Sequence, residues 1–169
     1  MKRKAIQSGF QKKTGRRLKD LKNFKKMSKP KKPAQVKLIA SIIAGDKNII
    51  KPVLSNLQER FGNIDFISEK MEFNHTKYYN DEIGENLFRK MVSFNNLIYP
   101  SDLAAIKIFT NSIEYQYADN GKRKVNIDPG YIAMEKFVLA SCKNFSHRIY
   151  LSEGVYADLT LIYKSNNFQ

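Results

Sequence analysis

The run VKLIASIIA at residues 36–44 decides the fold. It is short, mostly apolar and β-branched, broken only by Lys37 and Ser41, and it ends at Gly45. A run of that length and composition predicts a buried β-strand. The next stretch changes period. Ile50, Val53, Leu54, Leu57 and Phe61 fall on one helical face, and Gly62 supplies the stop. Asp46 or Asn48 can cap this helix. Pro52 is tolerable only in a first turn, which favours Asn48 as the cap.

Working outward, residues 64–73 alternate as a second strand and residues 87–98 as a third. Pro100-Ser101-Asp102 opens a second helix that runs to about Tyr117, with Leu103, Ile106, Ile113 and Tyr117 as its apolar face and Asn120-Gly121 as its stop. Residues 123–128 read as a fourth strand that Pro129-Gly130 breaks. In residues 131–142, Met134, Val138, Leu139 and Cys142 sit at helical spacing. Residues 147–151 and 155–163 pair as a hairpin around Glu153-Gly154. The order β-α-β-β-α-β, with an added helix and a C-terminal hairpin, is an α+β pattern. It predicts a ferredoxin-like sandwich, a mainly antiparallel sheet with helices on one face. Such a fold hosts many functions and implies none.

Charge divides the chain more sharply than hydrophobicity does. Residues 1–34 hold fourteen of the thirty lysines and arginines against one acid, Asp20, and so about +13 of the formal +14. Residues 35–169 hold sixteen basic and fifteen acidic residues. The expectation is a basic, disordered arm on one near-neutral domain. Phe10, Leu18, Leu21, Phe24 and Met27 recur among Lys12, Lys13, Arg16, Arg17, Lys19, Lys22, Lys25 and Lys26, a weak basic amphipathic helix. Lys29-Pro30-Lys31-Lys32-Pro33 then forms an extended linker. The functional reading of the arm is electrostatic docking on RNA or another polyanion. The alternative is a solvated tail, or translated upstream sequence, with no role. One cysteine, Cys142, and two histidines, His75 and His147, exclude an intrachain disulfide and make a Cys/His metal site improbable. No cofactor is implied. No apolar run has the ~20 residues of a membrane span, and the charged N-terminus lacks a secretory apolar core, so the expected location is the cytoplasm.

Four stretches carry a resemblance. They are Lys37-Leu38-Ile39-Ala40 leading to Glu59-Arg60-Phe61-Gly62; Thr76-Lys77-Tyr78-Tyr79 with Glu82 and Gly84; Val125-Asn126-Ile127-Asp128-Pro129-Gly130-Tyr131; and Ser146-His147-Arg148-Ile149-Tyr150-Leu151 with Tyr156 and Leu161-Ile162-Tyr163. Together they resemble the domain of unknown function 4416 family of bacterial proteins over residues 36–169. The resemblance implies a compact single domain and no established activity. Some members carry a GTP-binding label, yet no GxxxxGK(S/T), GxGxxG, HExxH, GxSxG or CxxC occurs in this chain. The basic arm departs from the family pattern. Similar sequences also continue past Asn167-Phe168-Gln169 into a Pro- and aromatic-rich segment, so a truncated product is one reading.

The polar residues suggest a second class of function, a small enzyme or binding protein for a nucleotide or phosphorylated ligand. Asp128 ends a predicted strand and could project into a cleft, though an Asp before Pro is also an ordinary helix start. With Leu151 opposite Tyr156, His147 and Asp158 share a face of the hairpin and can meet as an acid–base pair. The simpler alternative is a structural histidine bonded to Thr160 or backbone. Arg148 then points to the other face as a salt-bridge partner. Lys107, Asn111 and Glu114 form a polar helical stripe, ordinarily a solvated one. Asn126 and Tyr131 flank Asp128 and join the ligand-binding candidates, and Tyr78, Tyr79 and Glu82 lie in a loop long enough to act as a lid.

Overall fold

The computed structural model describes residues 28–73 and 80–169. The amphipathic arm with its eight named cations, and Tyr78 and Tyr79, lie outside the described residues. Residues Pro33–Gln169 form one unit.

β1 (Val36–Ala44) is buried along nearly its whole length, as its composition requires. It sits between two antiparallel neighbours, β4 (Phe88–Ile98) and β5 (Val125–Ile132), with Ile42 opposite both Lys90 and Ile127. Around them lie β2 (Ile64–Ile67), β3 (Met71–Glu72), β6 (Lys136–Ser141), β7 (Arg148–Ser152), β8 (Val155–Lys164) and β9 (Asn167–Phe168). The sheet runs β2-β4-β1-β5-β6-β8-β7, with β3 on β4 and β9 on β8, and every pairing among the described strands is antiparallel. The molecule is thus a mixed α/β structure with a large antiparallel sheet.

Two main helices, α1 (Ile50–Phe61) and α3 (Leu103–Gln116), cover one face; α2 (Asn80–Ile83) is a single turn. Val53 and Leu57 of α1 and Ile106 and Ile113 of α3 pack on alternate β1 residues, Leu38, Ala40, Ile42 and Ala44, and on Phe94 and Ile127. Asp46, not Asn48, makes the cap, accepting the Asn48 N–H at 2.8 Å. A 3₁₀ turn, Lys47–Ile49, then leads into α1 and leaves Pro52 in the first helical turn, where its missing N–H costs nothing. Lys37 of β1, Asp65 of β2 and Ser93 of β4 meet on the other face. Asp65 takes a bond from Lys37 and a 2.5 Å bond from the Ser93 hydroxyl. Among the described residues no helix is long and apolar enough to cross a membrane.

Three expectations need correction. The strand expected to end at Asp128 continues through Pro129-Gly130 to Ile132. Ile127 turns its N–H and C=O away from β1, and Pro129, two residues on, shares that orientation. Pairing with β6 begins only at Gly130, opposite Leu139, so the missing proline N–H breaks no ladder bond. Gly130 is required by close approach: a Cβ there would lie 2.3 Å from the Val138 carbonyl oxygen. Second, the helix expected over residues 131–142 is the strand β6, whose Val138 and Ala140 are buried in a cluster with Leu103 and Val155. Third, the hairpin register is shifted. Its two-residue turn is as expected, Glu153 and Gly154 both with positive φ. An irregularity between Tyr150 and Ser152, however, sets Tyr150, not Leu151, opposite Tyr156, and Arg148 opposite Asp158. One extra residue exchanges the two faces of a strand.

Two outcomes follow from this packing. Gly130→Ala should destabilise the fold by about 1–3 kcal/mol, the usual range for forcing an atom into packed structure, as read by chemical denaturation. The bond from Lys37, and then that from Ser93, hold the Asp65 carboxyl below its ordinary value of 3.8. Its folded pKa is the lower one, so its contribution is whole above 3.8 and is lost as pH falls through the folded value. Asp65→Asn should therefore lose less stability than wild type over that acid range.

Candidate functional site

Between Val125 and Asp128, β5 has β1 on one edge and no strand on the other, because β6 joins only at Gly130. Its free backbone groups are taken by side chains of α3. Glu114 Oε1 accepts the Ile127 N–H at 2.7 Å, and Lys107 Nζ donates to the Ile127 carbonyl at 2.8 Å. Both side chains are about 95% buried, so each needs a counter-charge. Lys107 finds Asp128 Oδ1 at 3.0 Å, with Glu114 at 3.6 Å. Glu114 also takes Arg123 Nη1 at 2.9 Å. Arg123 bonds Asn126 Oδ1 at 3.0 Å and Glu82 through Nε at 3.0 Å, and Asn126 Nδ2 donates to Asp128 Oδ2 at 2.7 Å. Burial draws the Arg123 pKa down, but the bonds to Glu82 and Glu114 outweigh it and the net shift is upward.

This network is the inner wall of a cleft of about 870 Å³ that opens where β5 and β6 diverge. The outer wall is built by the ends of β6, β7 and β8. There Arg148 Nε donates to Asp158 Oδ2 at 2.9 Å and Arg148 Nη1 to the Lys143 carbonyl at 2.9 Å. Asn111 bridges the walls, donating to Cys142 Sγ at 3.2 Å. Among the described residues no group of three or more His, Cys, Asp or Glu is placed to hold a metal ion.

The structure sorts the candidate residues. Asp128, Lys107, Asn111, Asn126, Arg148 and Asp158 line the same cleft. Asp128 lies within a strand instead of capping a helix, which removes the reading of it as a helix start. Lys107 and Glu114 are buried, so the stripe expected to be solvated faces β5. Arg148, expected on the face away from Asp158, is its direct partner, because of the shifted hairpin register. His147 Nε2 stands 3.4 Å from the same Asp158 oxygen, but it is half exposed at the rim and lies edge-on to Phe145. Thr160 bonds the Asp158 carbonyl, not the imidazole. Tyr131 is packed with Leu103 and Val138 in the core and does not reach the cleft. Arg123 is the member that sequence reasoning missed. It lies before β5, and by strand alternation it shares parity with the apolar Val125 and Ile127, not with Asn126 and Asp128, so the pattern gave no signal for it.

The model of one family, described as Domain of unknown function (DUF4416), matches residues 34–169. The chain belongs to this family. Neither the curated proteins nor the solved structures compared with the chain match it. The inner wall of the cleft depends on charge pairing: Glu114→Ala would leave Lys107 and Arg123 short of a carboxylate and the Ile127 N–H without an acceptor. Loss of one partner in a buried pair typically costs about 3–5 kcal/mol. Glu114→Ala should destabilise the protein by that order in urea unfolding, and Asp119→Ala, at an exposed pair with Lys124, by under about 1 kcal/mol.

Proposed function

We propose that the protein is a binding protein whose domain takes a small phosphorylated or nucleotide-like ligand in the cleft beside β5. One observation carries this reading: cationic donors and a carboxylate acceptor, fixed by separate elements, face one another across the cleft. Arg148 is held by Asp158 and the Lys143 carbonyl, yet one of its guanidinium nitrogens makes no bond among the described residues. A guanidinium fixed in this way presents oriented donors to a phosphate. Opposite it, Asp128 is partly exposed and can accept a ligand hydroxyl while Lys107 and Asn126 fix its orientation. If chemistry follows binding, Asp128 is the group placed to take a proton from that hydroxyl.

The order β5-β1-β4-β2, with α1 and α3 on one face, supports reading the central part as a ferredoxin-like core. The remaining strands extend it and supply the outer wall. The arm supports a second activity, docking on RNA or another polyanion, on the strength of fourteen cations against one acid.

Thermal unfolding with nucleoside monophosphates, the matching nucleosides and inorganic phosphate tests the cleft. Nucleotides should raise Tm and nucleosides should not, since a ligand at one hundred times its Kd stabilises by about 2.7 kcal/mol. Arg148→Ala should abolish the shift while leaving the unliganded Tm within a few degrees. A shift that survives Arg148→Ala, or none with any phosphorylated compound, overturns the reading.

A further inference from the structure

Two groups stand out among the cations of the domain. Lys37, Lys107, Arg123, Lys124, Lys136 and Arg148 are ion-paired with carboxylates. Lys47, Lys51, Lys70 and Lys90 line a single groove of about 620 Å³ between α1 and the β3–β4 edge. Among the described residues no carboxylate lines that groove, and none of the four lysines has an ion-pair partner. Asp46, beside Lys47 in the chain, is engaged with the Asn48 N–H. Lys90 donates to the Ser68 carbonyl at 3.0 Å, and the Lys70 ammonium stands 5.1 Å from the centre of the Phe88 ring on the groove floor. Four like charges on one concave wall repel one another and raise the local potential, which favours an anionic ligand.

We propose that this groove is a track for the phosphodiester backbone of single-stranded nucleic acid. The lysines come from four places, the 3₁₀ turn before α1, α1 itself, the β2–β3 connection and β4. Four ammonium groups thus share one groove. Four charges suit a ligand with several phosphates; bidentate capture of a single phosphate would call for the fixed fork of donors that a guanidinium has and lysine lacks. Phe88 is 2% exposed and offers no face for a base to stack on, so binding is through phosphates and is tolerant of sequence. The inference rests on the polyanion part of the proposed function and extends it from the arm to the domain.

The test is fluorescence anisotropy of the full-length chain with labelled oligouridylate and oligoadenylate, from 50 to 200 mM salt. Removing one phosphate-neutralising charge should flatten the log–log salt slope by about 0.7 for a single strand. Lys51→Gln/Lys70→Gln should flatten it by about 1.4 for both oligomers. Lys122→Gln/Lys164→Gln, two exposed lysines away from the groove, should leave it unchanged. Replacing Lys12, Lys13, Arg16 and Arg17 by Gln reads the arm separately. If the groove pair, like the control pair, leaves the slope unchanged while the arm variant flattens it, the groove is excluded and the arm reading stands. If the arm variant keeps full affinity and the groove pair does not, the arm reading fails and the groove stands. An equal drop in groove and control pairs would mean that net charge alone is read, and no binding by wild type would overturn both.

Discussion

The N–H and C=O of Ile127 have no strand to bond, and Glu114 and Lys107 reach from α3 to take them. Much of the site follows from that substitution. A neutral donor and acceptor would have sufficed for the backbone, but the helix supplies a carboxylate and an ammonium, and neither can stay buried alone. Lys107 therefore needs Asp128, Glu114 needs Arg123, and Arg123 in turn gathers Asn126 and Glu82. An unfinished sheet edge becomes a polar wall by successive charge compensation. The same gap keeps β6 apart from the first half of β5, so the wall has open space in front of it.

Much of the sheet core was legible because each element carried one dominant period. VKLIASIIA is apolar but for Lys37 and Ser41, α1 and α3 repeat at helical spacing, and Glu153-Gly154 makes the two-residue turn between two strands. The failures have particular causes. Pro129-Gly130 is ordinarily a breaker, but here Pro129 lies on the unpaired side of β5 and Gly130 where β6 presses closest. In and around β6, Met134, Val138, Leu139 and Cys142 match a helical face only by coincidence. Met134 and Cys142 are exposed, and the buried residues Val138 and Ala140 alternate as a strand requires.

The candidate site was legible as a set of residue types, less so as geometry. Asp128, Asn126, Lys107, Asn111 and Arg148 do converge, yet the residue set opposite Asp158 is Arg148, where the regular register would have placed Ile149 with His147 diagonal on the same face. A bulge leaves no mark in hydrophobic alternation when both faces of a strand are exposed, as Ile149, Tyr150 and Leu151 are. Burial of Lys107 and Glu114 was hidden for another reason. Whether a charged helical stripe meets water or a strand edge depends on where pairing stops, a long-range property.

β1 lies at the centre of the sheet, but both of its partners come late in the chain. Its edges are closed by β4 and β5, so the second is covered only once Ile132 has been made. At roughly 5–20 residues per second, the ribosome leaves this apolar segment without its full complement of neighbours for several seconds. Until α3 (Leu103–Gln116) has been made, α1 is the only long helix, among the described residues, that can shelter one side of it. Closure of the centre of the sheet therefore waits on chain that is made long after β1 itself.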